Sequence, residues 1–125
     1  MKDSCVDQDA VTEKIIGCAF RVANVLGVGF LEKVYENALA HEIRKAGLDA
    51  AQQVPVKVLY DGTIVGDYRA DILVEESVLV ELKATANLSN VDVAQCLNYL
   101  KASKLNKCLL LNFGRTKIEV RRIVN

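Results

Sequence analysis

Three side chains stand out for the chemistry they could perform together. Asp71, Glu81 and Lys83 lie on two consecutive segments, Tyr68-Arg69-Ala70-Asp71-Ile72-Leu73-Val74 and Val78-Leu79-Val80-Glu81-Leu82-Lys83-Ala84. Side chains alternate faces along a strand, so Tyr68, Ala70, Ile72 and Val74 share a wholly apolar face with Val78, Val80, Leu82 and Ala84. An odd loop, Glu75-Glu76-Ser77, keeps that face continuous by setting Val74 opposite Val78 and Ile72 opposite Val80. A slip of one residue would put Ile72 against Glu81 and bury a charge. In the favoured register Asp71 faces Glu81, with Arg69 and Lys83 as the adjacent pair. Carboxylates about 5 Å apart across two strands repel unless something positive lies between them.

The plain alternative is a surface lattice in which Arg69, Asp71, Glu81 and Lys83 balance one another. Leu73 and Leu79 weigh against it, because they continue the same face and predict that it is partly covered. Oxygen ligands close together suit a hard divalent cation such as Mg²⁺ or Mn²⁺, which keeps several waters. A bound ion lowers the pKa of its water and stabilises charge on a phosphoryl oxygen. Lys83 is placed to orient that water or to offset the developing charge.

The elements that must position these residues follow from periodicity. Val11, Ile15, Cys18, Ala19, Val22 and Leu26 predict a helix over Asp9–Leu26, and Leu31, Val34, Tyr35, Ala38, Leu39 and Ile43 a second over Leu31–Ala46. Strands are predicted over Val54–Tyr60, Ile64–Gly66, Tyr68–Val74 and Val78–Ala84. Asp61-Gly62 marks a tight turn, and Pro55 an edge strand. Ser89-x-x-Asp92 is a capping-box pattern that announces a helix over Asn90–Leu100. Two closing strands, Lys107–Phe113 and Lys117–Val124, flank Gly114. This order predicts an α/β fold, one mixed sheet with helices against it.

With 125 residues, about half of them apolar, the chain predicts a single domain with a real core,. No apolar run approaches the ~18 residues of a membrane helix, and the start Met-Lys-Asp-Ser-Cys lacks a signal-peptide core, so a soluble, cytoplasmic protein is expected,. Cys5, Cys18, Cys96 and Cys108 form no C-x-x-C pair, and the lone His41 completes no zinc finger, which predicts reduced thiols,. Sixteen basic residues balance sixteen acidic ones, which argues against nucleic-acid binding by bulk attraction,. By position, however, residues 101–125 hold seven basic residues against the single acid Glu119. Either a solvated lysine-rich surface or a phosphate-binding flank would look like this.

The segments around Asp71, Glu81 and Lys83 resemble the core of the PD-(D/E)XK nucleases, with Ala70 where the superfamily name has proline. Gln95-Cys96-Leu97-Asn98-Tyr99 is similar to the Q-x-x-x-Y helix motif of its exonuclease-like branch. Gly29-Phe30-Leu31-Glu32-Lys33-Val34-Tyr35 matches G-x-x-E-x-x-Y, which names a small bacterial and archaeal family placed in that superfamily. The resemblance runs from Gly27 to the C-terminus, including Asn112-Phe113-Gly114, and leaves residues 1–26 as an added N-terminal helix.

The resemblance implies a restriction-endonuclease-like fold and a metal-dependent nuclease that hydrolyses phosphodiester bonds of nucleic acid, with DNA the expected substrate. Asp71 and Glu81 would be metal ligands, with the Leu82 carbonyl oxygen as a further one and Glu32 as the acid contributed by an early helix. Lys83 would be the catalytic lysine. Gln95 and Tyr99, one helical turn apart on one face, would hold the lysine, the water or the phosphate. Lys101, Lys104, Arg115 and Lys117 would cradle nucleic acid, and homo-oligomers are compatible with this reading. The family has a histidine three residues before the glutamine, where this chain has Asp92, so Asp92 either serves the site or only caps the helix. The rival expectation is a nucleic-acid-binding or interaction module on a nuclease scaffold, catalytically weak or inactive.

Overall fold

The structure is a computed structural model that describes residues 7–125; the expectation for Cys5 falls outside the described residues. Helix α1 (Gln8–Leu26) starts within one residue of the predicted position. The Asp7 carboxylate caps it, accepting from the N–H groups of Asp9 and Ala10 at 3.1 Å each,. It ends at Gly27, whose φ of +69° suits glycine,. Helix α2 (Glu32–Lys45) has no side-chain cap, and the turn before it is held from within the helix instead. The Tyr35 hydroxyl donates to the Gly27 carbonyl at 2.7 Å and accepts from the Phe30 N–H at 3.2 Å.

Five strands form one mixed sheet in the order β1 (Ala50–Tyr60), β2 (Thr63–Val74), β3 (Val78–Lys83), β4 (Lys107–Asn112) and β5 (Glu119–Val124). Only β3 and β4 run parallel, and helix α3 (Asn90–Ser103) supplies the crossover that such a pair requires,. Strands predicted separately over Ile64–Gly66 and Tyr68–Val74 are one, because Asp67 pairs with Lys57 and carries β2 through. Pro55 sits in the edge strand, as expected.

Helices α1 and α2 cover one face, where Ile15, Val22, Tyr35 and Leu39 pack with Ile72, Val80, Leu82 and Phe113. Helix α3 covers the other, bringing Cys96 and Leu100 against Leu79, Cys108 and Leu110. Burying each leucine- or isoleucine-sized side chain contributes about 1.5–3 kcal/mol, so both layers carry the fold. Cys18, Cys96 and Cys108 are free and buried. Contact with Cys96 and burial push the Cys108 thiol up, as an inert core thiol requires,. Among the described residues, no helix is long and apolar enough to cross a membrane.

The β2–β3 register is the predicted one, Ile72 opposite Val80 and Val74 opposite Val78. The expected apolar face holds for Ile72, Val74, Val78, Val80, Leu82 and Ala84, but does not extend to the earlier part of β2. Ile72 and Val74 join the α1/α2 layer, whereas Ala70 joins the α3 layer and Tyr68 meets Tyr99 of α3. The strands change layers at Asp71 and its neighbour Gln53, which has a φ of +54°. Beyond this point β3 no longer follows β2, and the rest of the β1–β2 hairpin projects as a two-stranded arm. Strict alternation fails here because it assumes an undistorted strand.

Candidate active site

Asp71 and Glu81 sit where β2 and β3 separate. The ladder ends at Ile72 and Val80, and the two carboxylates replace the missing backbone acceptors. The Asp71 N–H donates to Glu81 Oε2 at 2.8 Å, and the Leu82 N–H donates to Asp71 Oδ2 at 2.8 Å. Each acid is thereby fixed to the strand opposite its own. Glu81 is 7% exposed. Burial, and then the charge of Asp71, push its carboxyl up to about 8,. Burial is also the main reason that Asp71 is raised, with Glu36 and Glu32 adding to it.

Glu36 is the site acid that the sequence reading missed. It lies one turn beyond Glu32 in α2, is 4% exposed, and is held by three donor side chains through four contacts. Lys33 Nζ lies 3.2 and 3.3 Å from its two oxygens, and the side-chain amides of Gln52 and Gln53 donate to it at 2.7 and 2.9 Å. Gln53 also reaches Asp71 Oδ1 at 3.5 Å, which links the helix acid to the strand acids. The available signal was the i, i+4 pair Glu32 and Glu36 beside Tyr35, together with two glutamines entering an edge strand. Glu32 itself is exposed in the first turn of α2.

Lys83 does not pair with Arg69 across the strands, as the uninterrupted register required. Arg69 donates to the Gln53 carbonyl at 2.9 Å, and Lys83 Nζ lies 3.8 Å from Asp92 Oδ1. Asp92 also caps the helix, since its Oδ2 accepts from the Ser89 N–H at 2.9 Å in a complete capping box. Gln95 donates to the Tyr99 hydroxyl at 2.9 Å. Burial, followed by the charges of Glu81 and Asp71, raises Tyr99 despite that bond, so this helix face lies close to the acids.

The strand end after Lys83 is fixed by Asn112, which is fully buried. Its Oδ1 accepts from the Thr85 and Gly114 N–H groups at 3.0 and 2.9 Å, and its Nδ2 donates to the Thr85 carbonyl and to Glu119 at 3.0 and 2.8 Å. A Cβ on Gly114 would lie 2.1 Å from the Thr85 carbonyl oxygen. This accounts for Asn112-Phe113-Gly114 as support for the loop that follows Lys83.

The basic C-terminal fifth of the chain is divided. Lys101 and Lys104, at the end of α3, line a groove of about 850 Å³ between that helix and the β1–β2 arm. Arg115 and Lys117 lie in the β4–β5 turn, at the opposite end of α3 because that helix runs back against its parallel strands. Arg115 pairs with Glu119 at 3.5 Å, Arg122 with Glu13 at 2.9 Å, and Lys107 with Asp9. Part of the positive charge therefore ties β4 and β5 to α1.

Among the described residues, no three Asp, Glu, His or Cys side chains are grouped closely enough to form a ready-made metal cage. The donor chemistry nevertheless fits a hard divalent cation that keeps several waters. Among the described residues, Glu81 Oε1 accepts no hydrogen bond and Asp71 Oδ1 receives only the long one from Gln53. Burial first, and the neighbouring acids second, make the charged forms costly here, and a cation would offset that cost,.

A family model described as the PD-(D/E)XK nuclease superfamily matches residues 9–123. No curated protein matches the chain. Among solved structures, an alkaline exonuclease (LHK-Exo) from Laribacter hongkongensis superposes with a TM-score of 0.55 at 16% identity, covering 100% of this chain and 72% of that one. That likeness concerns the fold. The structure of SSO0001 gives a TM-score of 0.44 at 13% identity, over 98% of this chain and 78% of the other.

Proposed function

The chain belongs to the PD-(D/E)XK nuclease superfamily, a nuclease-type assignment, and we propose that it is a Mg²⁺- or Mn²⁺-dependent enzyme hydrolysing phosphodiester bonds of nucleic acid, with DNA preferred to RNA. We place it in the GxxExxY branch, as a single cytoplasmic domain. The observation that carries this reading is the carboxylate pair of half-buried Asp71 and buried Glu81, each bonded to the other's strand, with Lys83 two residues further on.

Asp71, Glu81 and the Leu82 carbonyl oxygen would hold the cation, with Glu32 and Glu36 approaching from α2. When bound, the cation supplies a water of lowered pKa and offsets charge on the phosphoryl oxygens. Gln53 and Glu36 keep Asp71 in place through side-chain contacts. Lys83 is held back by Asp92 until a phosphate offers a stronger partner, and its ammonium then neutralises charge as the bond breaks,. Gln95 fixes the Tyr99 hydroxyl, so that a polar helix face borders the phosphate. Lys101 and Lys104 would contact the backbone on one side of the site, and Arg115 and Lys117 on the other.

One observation favours a second reading, a binding module with little turnover. One oxygen of each strand carboxylate is already committed to a backbone N–H. Cleavage assays on single- and double-stranded DNA and RNA with Mg²⁺ or Mn²⁺ decide between the two. Turnover that is lost in Asp71→Ala is expected of the enzyme. If wild type and Asp71→Ala behave identically on every substrate, the enzymatic reading fails.

A further inference from the structure

The groove between α3 and the β1–β2 arm is not needed to build the acid pair, and its chemistry identifies an occupant. One wall is the arm, which contributes Lys57 and the ring of Tyr68; the other is α3, which contributes Asn98, Tyr99, Lys101 and Lys104. Tyr68 is 51% exposed, and its ring centroid lies 5.8 Å from that of Tyr99 at 42°. An exposed tyrosine face, backed by a second ring and flanked by ammonium groups on both walls, suits alternating flat bases and phosphates. Among the described residues, Lys57 alone of the three lysines has an acidic partner, Asp67 at 3.4 Å, and both of those side chains are more than half exposed.

The space takes a drug-sized ligand, the scale of about two or three nucleotides, and is too small for a duplex,. Aromatic platforms beside a basic groove are also the means by which proteins grip unpaired strands without reading sequence. Its lining includes the hydrogen-bonded Gln95 and Tyr99, and the Tyr99 hydroxyl is near enough to Glu81 and Asp71 to feel their charge. A strand lying in it would therefore lead to Asp71 and Glu81.

We propose that this groove is a binding site for single-stranded nucleic acid, in which a base stacks on Tyr68 while Lys57, Lys101 and Lys104 hold the adjacent phosphates. The proposal rests on the nuclease reading and narrows its substrate to unpaired strands or frayed ends. Binding, however, requires no turnover.

The test is fluorescence anisotropy with fluorescein-labelled dT12 and a 12-base-pair blunt duplex, in EDTA, so that cleavage plays no part. The expected result is tighter binding of dT12 than of the duplex. Tyr68→Ala should weaken dT12 binding at least about fivefold, Tyr68→Phe should retain it, and Lys14→Ala on α1 should leave it unchanged. Replacing Lys101 and Lys104 together by alanine should lower the slope of log K against log salt by about 1.4. Circular dichroism confirms that each variant is folded. Equal or tighter duplex binding, an unchanged Tyr68→Ala, or an unaltered salt slope would each overturn the proposal. So would a concentration-dependent dimer that Tyr68→Ala abolishes, since the groove would then be covered by a second copy. Failure here leaves the cleavage assay with Asp71→Ala untouched, and failure there leaves this binding measurement standing.

Discussion

Lys83 and Asp92 face each other at 3.8 Å between β3 and α3, on a carboxylate whose other oxygen caps the helix. One residue thus serves both the helix terminus and the lysine. Asp92→Ala is expected to cost about 1 kcal/mol through the lost cap and to slow cleavage as well. Asp92→Asn keeps an oxygen for the Ser89 N–H, so its melting temperature should return towards wild type while the rate stays low. Calorimetry beside a cleavage assay checks this. Recovery of both quantities would mean that the carboxylate acts through the cap alone.

The acid pair makes stability depend on pH in an unusual direction. Glu81 is raised in the fold from the ordinary carboxylate range to about 8, so the folded state holds its proton more tightly than the unfolded chain does. Its contribution is fully present below about pH 4.5 and is lost as pH rises through 8. In metal-free buffer the melting temperature should therefore fall between pH 5 and 8. Glu81→Gln should flatten that slope and gain up to a few kcal/mol at pH 8, while abolishing cleavage. A denaturation series across this range reads the effect, and a flat wild-type profile would contradict it.

Gly114→Ala forces a methyl group to within 2.1 Å of the Thr85 carbonyl oxygen. Backbone must move, at about 1–3 kcal/mol, which for a chain of this size lowers the melting temperature by about 3–15 °C. Because the displaced segment follows Lys83 directly, kcat should fall more than stability alone explains.

Tyr35→Phe removes the hydroxyl that joins Gly27 to Phe30 but keeps the ring stacked on Phe113, with centroids 4.9 Å apart. A loss of about 1–2 kcal/mol is expected. Hydrogen exchange should accelerate at residues 27–31 and little elsewhere.

The register of Asp71 against Glu81 was readable because apolar residues on two strands admit only one alignment that buries no charge. The capping box was readable because Ser89 and Asp92 are local. Glu36 was not, because its burial depends on Gln52 and Gln53 arriving from a strand that the helix pattern does not mention. Nor was the layer change at Gln53 and Asp71, which arises from a left-handed φ at a glutamine. Splitting the basic C-terminal fifth into a groove and a set of clasps on α1 likewise required knowing that β3 and β4 are parallel. The G-x-x-E-x-x-Y spacing gains a physical cause, since its tyrosine fastens the turn that starts the helix bearing its glutamate.

The arm beyond Asp71 behaves as a lever with its fulcrum at the acids. From Ala70 to the turn at Thr63 it extends roughly 20–25 Å by strand rise, with no further strand alongside β2. A few degrees of tilt about that root shift the tip by an ångström or more, yet displace the carboxylates by a small fraction of it. Val56 and Ala70, packed with Tyr99 and Leu100 of α3, hold the near part of the arm, so a change at its tip bears on the groove before it bears on the distances at the base.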